Sequence, residues 1–245
     1  MRPETIPDPD GILLVDKPRT WTSHDVCAFL RSRFPLKKVG HAGTLDPLAT
    51  GLLVILLGRA TRLSSELSAT DKEYSGAMRL GVETDSHDVT GKTVAEKPYE
   101  HLTIETIRKA AERFTGEILQ TPPMVSAIKH QGTRLYKLAR KGQEVEREAR
   151  PITVHRFTVD RQEGPLVYFS VHVSKGTYVR TLVHDLAGSL GTAAALAELT
   201  RTRSGAFSLA DAVAVEPLRT WSFEELKKKI LTIYPGQTYA RSYGS

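Results

Sequence analysis

The residue types best suited to chemistry lie in one glycine-punctuated segment, residues 40–51. The segment reads GHAGTLDPLATG and contains one histidine, His41, and one carboxylate, Asp46. A carboxylate on a tight loop could act as a nucleophile or as a general base. Asp46 could equally close an Asx turn before Pro47, which requires no catalysis. The residue types alone leave both interpretations open.

Other catalytic motifs do not match. The segment does not end in Gly-Lys-Ser/Thr and lacks the G-x-G-x-x-G spacing, so neither a P-loop nor a dinucleotide fingerprint is present. The eight histidines include no H-x-x-x-H pair, and the single cysteine, Cys27, has no second cysteine to pair with. No G-x-S-x-G elbow occurs. The sequence therefore predicts neither a metal site nor a cofactor.

Composition favours a globular protein with an acidic partner. The 245 residues include 34 Lys and Arg against 28 Asp and Glu, a net charge of +6. Such a surplus favours a polyphosphate partner. The longest aliphatic run, residues 52–57, is far shorter than the ~20 residues of a membrane-spanning helix. With no signal-peptide pattern near the N-terminus, we expect a cytoplasmic protein. No leftover apolar stripe indicates a partner subunit, so we expect a monomer.

The elements around residues 40–51 can be predicted from apolar spacing. Residues 11–15 form an apolar run typical of a buried strand, and Ser23 is the predicted N-cap of a helix. Residues 39–51 are predicted to be a loop. Residues 52–57 are too hydrophobic for a solvent-facing side and should form a central strand. A period-two pattern predicts another strand from Tyr74 to Leu80.

Later segments mix helices and strands without a regular βαβ order. Thr103 opens the clearest amphipathic helix, for which Gly116 is the predicted stop. Strict alternation over residues 167–173 predicts a half-buried strand, and leucine spacing predicts a helix over residues 181–190. The chain is therefore expected to be α+β or to contain a mixed sheet.

A basic segment, residues 129–150, differs in character from the rest. Its cations are interleaved with an aromatic residue, which suits phosphates and a stacked base, although a solvated surface hairpin explains the pattern equally well. Its candidate RNA-binding residues are Lys129, Arg134, Tyr136, Lys137, Arg140 and Lys141.

Residues 40–51 resemble the signature of the TruB family, the bacterial tRNA pseudouridine-55 synthases. Other matching segments follow the family order over residues 11–207. They are Asp16-Lys17-Pro18 with Thr22-Ser23; Lys72-Glu73-Tyr74 with Leu80-Gly81 and Thr84-Asp85; residues 120–123, 126–129 and 134–136; and residues 174–180 with Asp185-Leu186.

The resemblance implies a fold and an activity. The fold would be the α+β pseudouridine synthase fold, a central mixed and mainly antiparallel sheet flanked by helices, with residues 129–150 as an RNA-binding insertion. The catalytic domain would span residues 1–225, and residues 226–245 would form a short helix and tail in place of a PUA domain. The activity would be conversion of uridine to pseudouridine at position 55, in the T-loop of tRNA, without a cofactor or an obligatory protein partner.

The resemblance also implies roles for individual residues. Asp46 would be the nucleophile, in surroundings largely closed to water, and Arg180 the cation that keeps it ionised. Tyr74 would stack on the flipped base. Substrate-binding positions would be His41, Tyr178, Leu199 and Lys17, with Lys17 and Pro18 supporting the pocket.

Two features limit the carry-over. Thr200 stands where the family often has arginine, which leaves Arg201 alone for the local phosphate contacts. Weaker tRNA affinity is expected without a PUA domain. Two alternatives remain open. One is an RNA-guided relative, and the other is a tRNA-folding chaperone that acts without chemistry.

Overall fold

The computed structural model describes residues 9–126, 128–130, 132–139 and 141–232. The strands are β1 Gly11–Lys17, β2 Val39–Ala42, β3 Thr50–Leu57, β4 Lys72–Leu80, β5 Val82–Thr84, β6 Thr93–Glu96, β7 Gly116–Gln120, β8 Lys129–His130, β9 Thr133–Arg134, β10 Arg150–Glu163, β11 Leu166–Val173, β12 Ala194–Ser204, β13 Phe207–Ser208, β14 Val213–Ala214 and β15 Leu231–Thr232. The helices are α1 Ser23–Arg33, α2 Ser64–Ser68, α3 Ile104–Arg113, α4 Leu135–Ala139, α5 Val179–Ser189, α6 Val215–Leu218 and α7 Phe223–Lys227, with 3₁₀ turns at Gly58–Leu63 and Leu209–Asp211.

The chain forms two compact units. The first unit combines Met1–Tyr74 with Thr200–Ser245, and the second unit is Ser75–Leu199. Strands β4 and β12 each contribute residues to both units. Parallel and antiparallel pairs occur together in a large sheet with helices, so the predicted α+β class with a mixed sheet is confirmed.

Strand β3 is the centre of the first unit's sheet. It pairs antiparallel with β1 from Gly11↔Leu57 to Lys17↔Gly51. On its other edge it pairs antiparallel with β2 and parallel with β12 at Thr50 and Gly51. All residues of β3 except Thr50 are buried, as the apolar run predicts. A strand without a solvent-facing side is therefore the scaffold on which the 40–51 segment is built.

Two hydrophobic clusters cover the two faces of this pair of strands. Alternation along each strand sends successive side chains to opposite faces. Leu13, Val15 and their neighbours on β3 pack with α1, α6 and α7, whereas Ile12 and Leu14 pack with α2 and Phe207. The register of β1 on β3 is fixed because a one-residue slip would exchange the two clusters.

Helix α1 begins one residue before the predicted position. Thr22, rather than Ser23, is the N-cap, and it forms a capping box with Asp25. The Ser23 side chain is buried instead, and its Oγ accepts a hydrogen bond from the Leu45 N–H at 2.9 Å. The prediction placed the cap wrongly because both residues are good N-caps and only tertiary structure distinguishes them.

The predicted loop over residues 39–51 is shorter than expected. Residues Val39–Ala42 form β2, which pairs with Val54–Leu57 of β3. The prediction missed this strand because its two small residues, Gly40 and Ala42, weaken the apolar alternation. The irregular part is therefore residues 43–49, between β2 and β3.

The second unit combines antiparallel strand pairs with helices. Antiparallel pairing joins β7 to β10 and β10 to β11, and β4 lies between β11 and β12. Alternate residues of β11 are buried, as the sequence predicts. Helix α3 begins after its cap Thr103, as expected, but ends at Arg113, before Gly116 starts β7. Helix α5 begins two residues earlier than predicted, at Val179.

The basic segment contains two short strands and a short helix. Strands β8 and β9 pair antiparallel, and α4 follows directly. Leu135 is buried and Lys141 is exposed. Arg140 lies outside the described residues. For Lys129, Arg134, Tyr136 and Lys137 the structure places only the main chain, so their predicted RNA contacts stay predictions.

Within the described ranges, every helix is too short or too polar to cross a lipid bilayer.

Substitution of Gly51 by alanine should destabilise the first unit strongly. Gly51 has a φ of +94°, and a Cβ there would lie 2.5 Å from the main-chain oxygen of Arg201. The left-handed conformation alone costs an L-residue roughly 1–2 kcal/mol. The backbone overlap adds to that cost because Arg201 is paired in the sheet. Urea unfolding should therefore show a loss of more than about 2 kcal/mol.

The matched control is Gly164→Ala. Gly164 also has a positive φ, +57°, but a Cβ there meets nothing within 4 Å. It should lose only the conformational part, roughly 1–2 kcal/mol. Equal losses in the two variants would contradict the overlap with Arg201.

Candidate active site

The loop over residues 43–49 is held to the first unit by main-chain hydrogen bonds. Ser23 Oγ accepts from the Leu45 N–H at 2.9 Å and lies 3.3 Å from the Leu45 carbonyl oxygen, to which it donates. The Thr20 N–H donates to the Pro47 carbonyl at 2.8 Å, and the Ala49 N–H donates to the Asp46 carbonyl at 3.1 Å. These contacts on either side of Asp46 fix its main chain.

Asp46 is exposed at the bend of this loop. The neighbouring Leu45 and Leu48 are 4% and 7% exposed, so they anchor the loop in the core and turn Asp46 outward. The expectation of surroundings largely closed to water is therefore wrong for this structure. A carboxylate presented on the outside of an anchored loop is accessible to a large substrate.

The start of the loop is held from a second direction. The Gly43 N–H donates to Ser68 Oγ at 3.0 Å. Lys72, which is buried, donates from Nζ to the carbonyls of Ser68 and Thr70 at 2.7 and 2.5 Å. Lys72 therefore orders the end of α2, which in turn holds Gly43. This part of the matched Lys72-Glu73-Tyr74 motif is structural support.

Lys17 is fully buried beneath the same region. Its Nζ donates to the carbonyls of Pro18 and Trp21 at 2.9 and 2.6 Å. Burial lowers the pKa of Lys17 to about 8, and the negative charge of Asp46 acts against that shift. The ammonium thus orders the turn into α1, which agrees with the predicted supporting role. Its predicted contact with substrate stays a prediction.

His41 lies on β2 with its ring edge-on to that of His24, 5.1 Å between centroids. Burial, followed by the positive charges of His24 and Arg201, lowers the pKa of His41 to about 4. Among the described residues, the buried Nδ1 has no hydrogen-bond partner. His41 is therefore a neutral, poorly solvated ring at the entry to the loop. Its predicted position against the substrate stays a prediction.

Arg201 is not placed for contact with RNA phosphates. It is 1% exposed and is one of the largest fully buried side chains of the described chain. Its Nε donates to the Leu52 carbonyl at 2.7 Å and its Nη2 to the Gly43 carbonyl at 3.0 Å. The expected phosphate role is therefore corrected. The adjacent Thr200 has its Oγ1 2.8 Å from that of Thr50.

In the second unit, Arg180 is buried in the first turn of α5, with 3% exposure. Its guanidinium donates to the main-chain carbonyls of Ser86 at 3.3 Å and Val125 at 2.5 Å, and lies 3.9 Å from the Asp88 carboxylate. The Asp88 charge is itself held by the turn, because its Oδ1 accepts from the Thr90 N–H. These contacts fix the orientation of the Arg180 guanidinium.

Tyr178 comes directly before α5 and is held by a residue that the sequence analysis did not select. The Tyr178 N–H donates to Gln120 Oε1 at 2.8 Å, and Gln120 Nε2 donates back to the Tyr178 carbonyl at 3.1 Å. Gln120 is 3% exposed. The available sequence signal was its place in the matched segment 120–123, just before Pro122. The Tyr178 ring lies 5.7 Å from the Arg180 guanidinium carbon.

A stacked histidine pair adjoins Arg180 in the same unit. The rings of His87 and His184 are parallel, 4.0 Å between centroids. Burial, followed by the charge of His184, lowers the pKa of His87 to about 4. A hydrogen bond to Asp185 raises the pKa of His184, and Glu83 contributes in the same direction. Of the two rings, His184 is therefore the one that takes up a proton first, and both carboxylates contact it.

Tyr74 and Leu199 are both half-buried. Tyr74 lies on β4 in the first unit, and Leu199 lies on β12 in the second unit, where it adjoins Gly76. Their predicted roles at the base stay predictions.

Comparison with protein families matches residues 31–233 of this chain. Residues 31–179 match the TruB family pseudouridylate synthase N-terminal domain, and residues 180–233 match the tRNA pseudouridylate synthase B C-terminal domain. The first match includes the loop with Asp46, and the second begins at Arg180.

Known proteins agree with these matches. The tRNA pseudouridine synthase B of Opitutus terrae is 48% identical over 92% of this chain and 93% of its own length. The enzyme of the same name from Symbiobacterium thermophilum is 50% identical over 88% of this chain and 73% of its own. Among solved structures, the Cbf5-Nop10-Gar1 complex contains a chain that is 31% identical with a TM-score of 0.71. The match covers 90% of this chain and 59% of that chain.

Both family models describe one class of protein, the pseudouridylate synthases. Within that class, the chain belongs to the TruB family.

The buried neutral state of His41 predicts a specific loss of stability in acid. The folded pKa of about 4 lies below the unfolded value near 6.5. The unfolded state therefore binds more protons between these values, and the free energy of unfolding falls as the pH drops through this range. His41→Gln should lose less stability than the wild type between pH 7 and pH 5.

Urea unfolding at the two pH values measures this difference. The exposed His101 provides the control, because His101→Gln should retain the wild-type acid sensitivity. An unchanged loss in His41→Gln would contradict the burial of a neutral imidazole.

Proposed function

We propose that this protein converts uridine to pseudouridine in tRNA, at position 55 of the T-loop, with Asp46 as the catalytic carboxylate. The observation that carries the proposal is the anchored loop at residues 43–49, which presents Asp46 outward within a segment that the family model matches. The names of the relatives, tRNA pseudouridine synthase B, support tRNA as the substrate class.

The reaction is an isomerisation. The N1–C1′ bond of uridine breaks, the base turns, and a C5–C1′ bond forms. The proton on C5 is lost and N1 gains one, so no electrons are exchanged overall. A carboxylate suits this sequence because it can form a covalent adduct or accept a proton and then leave again. Asp46 could act at the sugar or at the ring, since either step uses the same accessible oxygens.

The second unit contributes a fixed cation and an aromatic ring to the proposal. Arg180 is held by two carbonyls and by Asp88, and Tyr178 is held by Gln120. A guanidinium with a fixed orientation can hold a carboxylate at two points. We assign Arg180 to stabilising the ionised Asp46, Tyr74 to stacking on the target base, and Tyr178 with Leu199 to the uridine pocket.

Recognition of the tRNA is assigned to the basic segment. Lys141 is exposed there, and cations along an RNA backbone give salt-dependent affinity. We place the catalytic region at residues 1–225 and this insertion at residues 129–150. Solved neighbours include archaeal box H/ACA complexes of Cbf5, but the relatives of 48–50% identity carry the tRNA enzyme's name. We therefore expect activity on tRNA without a guide RNA.

Replacement of Asp46 should separate catalysis from binding. Asp46→Asn removes the charge and nearly no volume, so tRNA binding should stay close to wild type while turnover is lost. Unmodified tRNA transcripts, followed by adduct formation at pseudouridine and reverse transcription, measure the product and its position. Asp160→Asn, at another exposed position, should remain fully active. Residual Asp46→Asn activity within about tenfold of wild type would contradict the assignment.

The same assay distinguishes the alternatives. Product at another uridine would overturn the T-loop assignment. Product only after addition of a guide RNA would indicate the RNA-guided branch. No product together with faster tRNA refolding would indicate a chaperone.

A further inference from the structure

We propose that Arg201 is a positioning residue that fixes the catalytic loop by binding both of its ends. The inference rests on the proposed function, since it assigns Arg201 a part in presenting Asp46. It concerns a side chain that sequence reasoning connected with RNA phosphates.

The guanidinium connects the two points between which the loop extends. Gly43 is the first residue after β2, and its carbonyl accepts from Nη2 at 3.0 Å. Leu52 lies near the start of β3, and its carbonyl accepts from Nε at 2.7 Å. Asp46 lies between these two carbonyls in the sequence. One planar group therefore sets the separation of the loop ends.

The main chain of Arg201 fixes the same end of the loop independently. Arg201 pairs with Gly51 in the parallel contact of β12 with β3. Gly51 has a φ of +94°, and the position of its absent Cβ is 2.5 Å from the Arg201 carbonyl oxygen and 2.9 Å from its nitrogen. This close approach requires glycine. The backbone and the side chain of one residue thus hold the loop together.

An arginine side chain is well suited to binding the carbonyls at both ends of the loop. The contact with Leu52 is buried and the contact with Gly43 is partly buried. Away from bulk water, a hydrogen bond from a charged donor to a carbonyl is stronger than a neutral one. The guanidinium is planar and rigid, so its two bonds fix both distance and angle. A lysine at this position could bind one carbonyl but would lack the second fixed donor.

The charge of Arg201 also acts on the groups around the loop. It contributes to lowering the pKa of His41 and the pKa of Lys17, after burial in each case. The groups that face this region in the first unit include His24, Asp25 and Asp46. Arg201 thus favours the neutral form of His41 beside the loop.

The experiment compares Arg201→Lys and Arg201→Ala with the same substitutions at Arg203. Arg203 lies two residues further along β12, is a third exposed, and is 3.6 Å from the Glu73 carboxylate. The measured quantities are the single-turnover rate at saturating tRNA, the tRNA dissociation constant, and amide hydrogen exchange over residues 43–49.

Loss of loop positioning should reduce the rate and leave binding unchanged. A displacement of about 1 Å at a catalytic group can cost about a hundredfold in rate. Arg201→Lys and Arg201→Ala should therefore lose about that much, with dissociation constants within about threefold of wild type. Exchange over residues 43–49 should become faster, whereas the Arg203 variants should match the wild type.

Chemical rescue tests the guanidinium itself. Millimolar guanidinium should restore part of the rate of Arg201→Ala, while the same concentration of urea should not. If Arg201→Ala does not fold, Arg201→Lys carries the test, because it keeps the charge and the bulk of the stem. Wild-type rate and exchange in Arg201→Lys would overturn the proposal. A weakened affinity with an unchanged rate would show a phosphate contact instead.

The proposed function can fail separately. A wild-type protein that makes no pseudouridine would contradict the proposed function. The exchange measurement would still test whether Arg201 holds the loop, because it uses no RNA.

Discussion

Burial of β3 on both faces is the constraint on which the first unit depends. Seven successive residues of this strand have no solvent-facing side, so its polar main-chain groups must be satisfied by neighbouring strands. At the start of the strand, these groups form hydrogen bonds with β1, with β12 and with the Arg201 side chain. The loop with Asp46 is therefore attached to a strand that is buried on both faces and paired on both edges.

Buried cations in both units hold loops rather than face solvent. Lys17, Lys72 and Arg201 in the first unit, and Arg180 in the second, donate to main-chain carbonyls. A buried charge is costly unless its donors are satisfied. Carbonyl oxygens accept from all four, and Arg180 also has the Asp88 carboxylate nearby. Some of the Lys and Arg residues that produce the net positive charge are therefore buried, and they do not contribute to a basic surface.

Most of the fold could be predicted from the sequence where a periodic signal was strong. The run at residues 52–57, the alternation in β11 and the cap at Thr103 gave correct elements because burial dictates their patterns. Strand β2 was missed because Gly40 and Ala42 carry little apolar signal, although pairing with β3 makes the strand. The choice between Thr22 and Ser23 as cap depends on Leu45, a partner 22 residues away.

The candidate site was less predictable than the fold. The loop could be identified from its glycines and from Asp46, but the exposure of Asp46 depends on the anchoring of Leu45 and Leu48. Gln120 was not selected as a site residue, and Arg201 was connected with RNA phosphates, because nothing local marks a polar side chain as inward-facing. Their partners, Tyr178 and Gly43, are 58 and 158 residues away.

The discontinuity of the first unit has a consequence for synthesis on the ribosome. The second unit is a single stretch, Ser75–Leu199, whereas the first needs Thr200 and the residues after it to complete its sheet. The first 74 residues cannot complete this sheet before β12 is made, because β12 pairs with β3 at residues that are 150 positions apart in the sequence. Contacts so distant in sequence form slowly, because a long loop must close first. The nascent chain thus holds an apolar strand with an unpaired edge until Thr200 and Arg201 have been translated, and the Asp46 loop acquires its Arg201 contacts only then.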